Sequence, residues 1–135
     1  MRDAFDNSPL VRTDFSDDAA WRSLVRAATA QSPDGFQAGL RLIDDPVFAG
    51  DSPNQLIANA EGWHGASVLF VADAEALGNP EHPILCVDLG DQPGRTFRCI
   101  AAELWGVENN LRLANMDWED FADSVDDRGI HRGFD

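Results

Sequence analysis

The sequence contains no lysine and no tyrosine, and all ten of its basic residues are arginines. Schiff-base catalysis, pyridoxal phosphate attachment and the phosphate-binding loop of nucleotide hydrolases each require a lysine, so the sequence excludes these three chemistries. No apolar run approaches the roughly 20 residues of a membrane-spanning helix. Residues 1–6 lack the basic-then-apolar opening of a secretory signal, and we therefore expect a cytoplasmic protein.

Cysteine is scarce, with Cys86 and Cys99 as the two thiols in the chain. Both lie in apolar segments that read as strands, where a thiol behaves as a small buried hydrophobe. If the hairpin is symmetric about the turn at residues 90–94, the two thiols lie roughly opposite each other. Burial disfavours a redox pair, since such a pair needs exposure, and we expect both thiols to be reduced.

Positive charge is also scarce, because 24 acidic residues stand against 10 basic ones and the formal net charge is −14. This balance argues against binding to nucleic acid or to anionic membranes. It fits a protein that binds a basic protein partner, although acidity that serves solubility alone is an equal alternative. The oligomeric state cannot be deduced from these numbers.

The 135 residues, 44% of them hydrophobic, predict one domain over residues 9–135 after a disordered tail at residues 1–8. Strand-like and helix-like segments alternate along the first part of the chain, and a hairpin and two helices follow. This order predicts an α/β fold: a mixed four- to five-stranded sheet, parallel in its first part, covered by helices and ending in two consecutive helices.

Residues 103–122 carry the densest helix signals. Apolar residues recur at helical spacing in both halves, and Asp117 is a favourable N-cap for the second helix. Gly106, Asn109 and Asn110 do not fit this pattern, because glycine and asparagine are poor residues for a helix interior.

A helical wheel places Trp105, Glu108, Asn109 and Arg112 on one flank beside the apolar face. Tryptophan and arginine are over-represented in binding hot spots, so this flank is a candidate recognition surface. In the alternative, the asparagines bond neighbouring loops and fix the packing. The interaction candidates are Trp105, Glu108, Asn109, Asn110, Arg112 and the loop histidine His64.

Aspartates follow several predicted strands, and the carboxyl ends of parallel strands are where ligands bind in such sheets. Two or three converging carboxylates could hold Mg²⁺, whereas aspartate after a strand is also a favoured helix cap or turn residue. The weak metal candidates are Asp14, Asp73 and Asp88. The three histidines lack zinc-site spacing. Because no compact catalytic motif is present either, the sequence favours a protein that is not an enzyme.

Several segments together resemble an uncharacterised family of small actinobacterial-type proteins, a domain of unknown function. The segments are residues 10–21, 44–50, 69–73, 82–83, 94–97, 104–121 and 132–134. The resemblance covers nearly everything after residue 8, and residues 104–121 are its most specific part. It implies a bacterial cytoplasmic protein and supplies no activity, cofactor or catalytic residue.

Two functional hypotheses follow from the residues. The first is an acidic protein-interaction module, of inhibitor or immunity type, that binds a basic partner. The alternative is a small enzyme or ligand-binding domain that uses the strand-end aspartates, with or without Mg²⁺.

Overall fold

Six strands form one mixed sheet in the order β2-β1-β3-β4-β5-β6 in the computed structural model, which describes residues 7–59, 63 and 65–134. The strands are β1 Ser8–Arg12, β2 Leu40–Ile43, β3 Val68–Ala72, β4 Pro83–Asp88, β5 Thr96–Ile100 and β6 Ile130–His131. Neighbours β2–β1–β3 and β5–β6 are parallel, and β3–β4–β5 are antiparallel. The predicted α/β class and mixed sheet are confirmed.

The structure differs from the predicted architecture at two points near the ends of the chain. The short strand β6 follows the last helices, and its two residues are too few to show an alternating pattern. Strand β1 begins at Ser8, which is buried, although residues 1–8 were predicted to be a disordered tail. Residues 1–6 of that tail lie outside the described residues.

In the part of the chain that the structure describes, five α-helices accompany the sheet, and local capping chemistry sets where most of them begin. They are α1 Asp18–Thr29, α2 Pro53–Ala58, α3 Ala74–Gly78, α4 Leu104–Arg112 and α5 Trp118–Ala122. The Asp17 carboxylate caps α1 by accepting from the Ala20 N–H. The predicted cap Asp117 precedes α5, and the Asp120 carboxylate accepts from its N–H at 2.8 Å.

The sheet is covered on both faces, which explains why β3 is apolar at every position. Leu10 and Phe70 face the cluster formed with α1, α3, α4 and α5. Val11 and Val71 face the opposite cluster, which includes α2 and Trp63. Since α1 and α2 lie on opposite faces, the boundary between β1 and β3 is a topological switch point.

The β4–β5 hairpin places its thiols diagonally. Cys86 pairs with Phe97 and Cys99 pairs with Ile84, so the expectation that the two thiols lie opposite each other is wrong by two residues. The register is set by the turn, where the Asp88 N–H donates to the Arg95 carbonyl at 2.8 Å. Both thiols are free and buried, and burial raises the pKa of each.

No helix within the described ranges has the length and apolar character to cross a membrane.

Candidate functional site

A depression of about 370 Å³ lies at the switch point, where β1 and β3 end. It is lined by Thr13, Asp14, Phe15, Gly50, Asp51, Asp73 and Ala74. The Gly50 N–H donates to the Thr13 carbonyl at 2.8 Å, which ties the segment after β2 to the segment after β1. This is the position at which open α/β sheets bind ligands.

The two aspartates at this depression also have local structural partners. The Asp14 carboxylate accepts from the Ser16 N–H at 2.8 Å, and this bond lowers its pKa. The Asp73 carboxylate caps α3 through the Ala76 N–H and accepts two bonds from Arg98 at 2.7 and 3.0 Å. These are the cap and turn contacts expected of an aspartate that follows a strand.

Asp88 lies beside the start of β3, at the opposite end of the strands from Asp14 and Asp73, because β4 runs antiparallel to β3. Its carboxylate accepts from the Gly90 N–H at 2.8 Å and from the Arg95 guanidinium at 2.7 and 2.9 Å. The structure therefore brings Asp14 and Asp73 together and leaves Asp88 apart. Within residues 7–59, 63 and 65–134, no three His, Cys, Asp or Glu side chains are grouped so as to hold a metal ion.

Acidic residues dominate the segments that follow β1, β2 and β3. Arg12, only 3% exposed, pairs with Asp18 and Asp44, and Arg98, 16% exposed, pairs with Asp73 and Glu75. The arginines thus lie inside while carboxylates face the solvent. We call the following eight residues the acidic edge: Asp14, Asp17, Asp18, Asp44, Asp45, Asp51, Asp73 and Glu75.

Glu108 of α4 is the most deeply buried carboxylate among the described residues, with no exposed area. It accepts from the Ser8 hydroxyl at 2.8 Å, the Gly39 N–H at 2.7 Å, the Asn109 amide at 2.9 Å and Arg112 Nε at 2.7 Å. These four bonds fasten α4 to the starts of β1 and β2. They also satisfy a charge that would otherwise be costly to bury.

The two asparagines of α4 bond to backbone groups. The Asn109 amide donates to the Gln37 carbonyl at 3.0 Å, and the Asn110 amide donates to the Gly106 carbonyl at 2.7 Å. The Asn110 carbonyl accepts from the Asn115 N–H at 2.9 Å, where the chain turns out of α4. Such contacts are the ones that a packing role requires.

Trp105 differs from its neighbours because it stacks on a solvent-facing ring. Its ring lies 5.5 Å from that of Phe36 with a 9° interplanar angle, and Phe36 is 53% exposed. A Cβ built at Gly106 would meet nothing within 4 Å, so this glycine borders open space. His64, the remaining interaction candidate, lies outside the described residues.

A smaller cavity of about 140 Å³ joins α4, α5 and the residues around β6. It is lined by Glu103, Trp105, Gly106, Asn110, Phe121, His131, Gly133 and Phe134. The sequence did not indicate that His131 and Phe134 lie beside α4 and α5, because these residues are distant from both helices along the chain. The available signal was an aromatic and a histidine recurring in an otherwise polar segment.

The family comparison matches the model of the Domain of unknown function (DUF6924) to residues 7–134. The chain belongs to this family. None of the curated proteins compared with the chain matches it. Both the acidic edge and the smaller cavity fall inside the part of the chain that the family model covers.

Proposed function

We propose that this domain is a protein-interaction module that binds a basic partner through its acidic edge, in the manner of an inhibitor or immunity protein. The observation that carries the proposal is the one-sided charge of the segments that follow β1, β2 and β3. Residues 13–18, 44–51 and 73–75 contain eight carboxylates and no basic residue.

The buried arginines fix several of these carboxylates in place. Arg12 and Arg98 each neutralise part of the edge from beneath, and they hold Asp18, Asp44 and Asp73 in fixed positions. Fixed carboxylates lose little side-chain freedom on binding, which favours association. A cluster of one sign also steers an oppositely charged partner and accelerates the encounter.

The test removes charge without removing caps. In a variant with Asp45→Asn, Asp51→Asn and Glu75→Gln, asparagine still caps the turn that Asp45 begins. Recovery from native lysate should yield a basic protein that binds the wild type at low salt and is released as salt rises. The variant should bind that protein about tenfold more weakly, since each exposed ion pair contributes up to about 1 kcal/mol.

The matched control removes three exposed charges away from the edge through Asp34→Asn, Asp123→Asn and Asp127→Asn. This control should bind as the wild type does. Equal weakening by both triple variants, or recovery of no salt-sensitive basic protein, would contradict the proposal.

A second candidate function is ligand binding at the switch-point depression, favoured by the shared position of Asp14 and Asp73 there. Thermal unfolding in millimolar Mg²⁺ tests its metal-dependent form. A ligand that binds the native state alone must raise the midpoint, so an unchanged midpoint would argue against it.

A further inference from the structure

The smaller cavity has a size suited to one chemical group. Its volume of about 140 Å³ is below the roughly 300–1,000 Å³ of pockets that hold whole metabolites or drug-sized ligands. A group the size of the end of an amino-acid side chain is therefore the largest occupant that it would enclose. The cavity lies between α4, α5 and β6 and shares no lining residue with the acidic edge.

His131 lines this cavity and holds one of its two ring nitrogens against Ser124. The residue is 2% exposed, and its Nδ1 lies 2.8 Å from the Ser124 hydroxyl. Because that hydroxyl donates its proton to the Phe121 carbonyl at 2.9 Å, it accepts from Nδ1–H. Nε2 then carries the lone pair of a neutral ring, and burial lowers the pKa of His131, which favours that neutral form.

Glu103 adds a negative charge at the cavity wall. Among the described residues, the ion pairs of Arg12, Arg95, Arg98, Arg112 and Arg132 go to other carboxylates. The Glu103 carboxylate packs against the backbone of Gly133. A Cβ atom built at position 133 would lie 2.5 Å from Glu103 Oε1. Because residue 133 is a glycine, the Glu103 carboxylate has room beside the cavity.

Three of the six remaining lining residues are aromatic. Phe121, His131 and Phe134 form a three-ring cluster with centroid separations of 4.8 to 5.6 Å. Trp105 lines the cavity from α4. Aromatic faces attract cations and are the usual partners of alkylammonium and guanidinium groups.

We propose that this cavity binds a side-chain-sized organic cation, a guanidinium or an alkylammonium, through the Glu103 carboxylate, His131 Nε2 and the faces of Trp105 and Phe134. The carboxylate and Nε2 are acceptors, which match a ligand that carries only N–H donors. A guanidinium or ammonium group satisfies both and contacts the rings at the same time.

Titration of the full chain with ethylguanidinium and ethylammonium, followed by ¹H–¹⁵N NMR, tests the proposal. Ethylurea is a neutral control of the same shape as ethylguanidinium. The Trp105 indole and the amides near His131 should shift and saturate with either cation, with affinity at least tenfold greater than for ethylurea. Equal effects of ethylurea, or no saturable shift at these residues, would overturn the proposal.

An arginine-containing tripeptide distinguishes the two sources of such a cation. Saturable binding of the tripeptide at the same residues would identify a side chain of a protein partner as the occupant. Binding of the free cations alone would identify a small molecule. Loss of binding in the acidic-edge triple variant is not expected, so this test and the test of the proposed function fail independently.

Two substitutions separate binding from folding. Glu103→Gln should weaken ethylguanidinium by about tenfold, whereas Asp34→Asn, an exposed control, should not. Gly106→Ala should raise the midpoint of thermal unfolding, because alanine is the better helix former. It should nevertheless weaken the binding of ethylguanidinium, because the added methyl group narrows the cavity. Wild-type affinity in both Glu103→Gln and Gly106→Ala would contradict the proposal.

Discussion

Glu103 precedes α4 as its N-cap residue and Glu108 lies in the middle of the same helix, and their surroundings differ completely. Glu108 has no exposed area and accepts four hydrogen bonds, one of them from Arg112. Glu103 is half-buried and borders a cavity. The bonds of Glu108 give it a structural role, whereas Glu103 has no comparable set of hydrogen bonds within the part of the chain that the structure describes.

The comparison also separates two meanings of an unusual helix sequence. Asn109 supports Glu108 and reaches the Gln37 carbonyl, so this position fixes the packing of α4. Gly106 and Trp105 border the cavity. The residues of α4 that helix propensity does not explain therefore fall into two groups. One group belongs to the hydrogen bonds around Glu108, and the other lines the cavity.

The largest expected effect is on the buried member of the pair. Glu108→Gln should lower the free energy of unfolding by about 3 kcal/mol, because Arg112 and the Ser8 and Gly39 donors lose a charged acceptor. This loss lies at the low end of the range for breaking a buried ion pair, since the Arg112 side chain is 27% exposed. Denaturant unfolding measures the loss, with exposed Glu119→Gln as the control. A loss of stability as small as that of the control would show that Glu108 is not a structural residue.

A smaller loss is expected when the support for Glu108 is removed. Asn109→Ala should destabilise the domain by about 1 kcal/mol, because two hydrogen bonds are lost while helix propensity improves. Asn115→Ala, an exposed change beyond the end of α4, is the control for equilibrium unfolding. Unchanged stability together with loss of a partner would instead assign Asn109 to recognition.

The smallest expected effect on stability is at the cavity. Glu103→Gln should change the free energy of unfolding by less than about 0.5 kcal/mol, as is usual for positions without a buried partner. The chemical change is identical to Glu108→Gln, so the same unfolding experiment compares the two environments directly. A loss approaching that of Glu108→Gln would show that Glu103 is also a structural residue.

Much of the fold could be predicted from local patterns. The apolar run at β3 is typical of a strand covered on both faces, and Asp117 predicted the start of α5. These features depend on neighbours within a few residues, which the sequence displays directly. The two residues of β6 were missed because their order comes from pairing with Arg98 and Cys99 rather than from any local pattern.

The candidate sites were less predictable. The strand-end aspartates were identified from the sequence, but the direction of β4 separated Asp88 from Asp14 and Asp73. The burial of Glu108 could not be foreseen, because Ser8 and Gly39 lie 100 and 69 residues away along the chain. His131 was missed for the same reason, since its cavity is assembled from three separate segments.

By itself, the sequence determined the α/β class, the start of α5, the excess of acidic residues and the absence of lysine chemistry. Each of these follows from composition or from spacing between near neighbours. Only the tertiary structure decided which carboxylates are buried and bonded, which face solvent together and which border a cavity. Solvation and pairing of a charge depend on groups brought from distant parts of the chain, and local sequence does not encode their proximity.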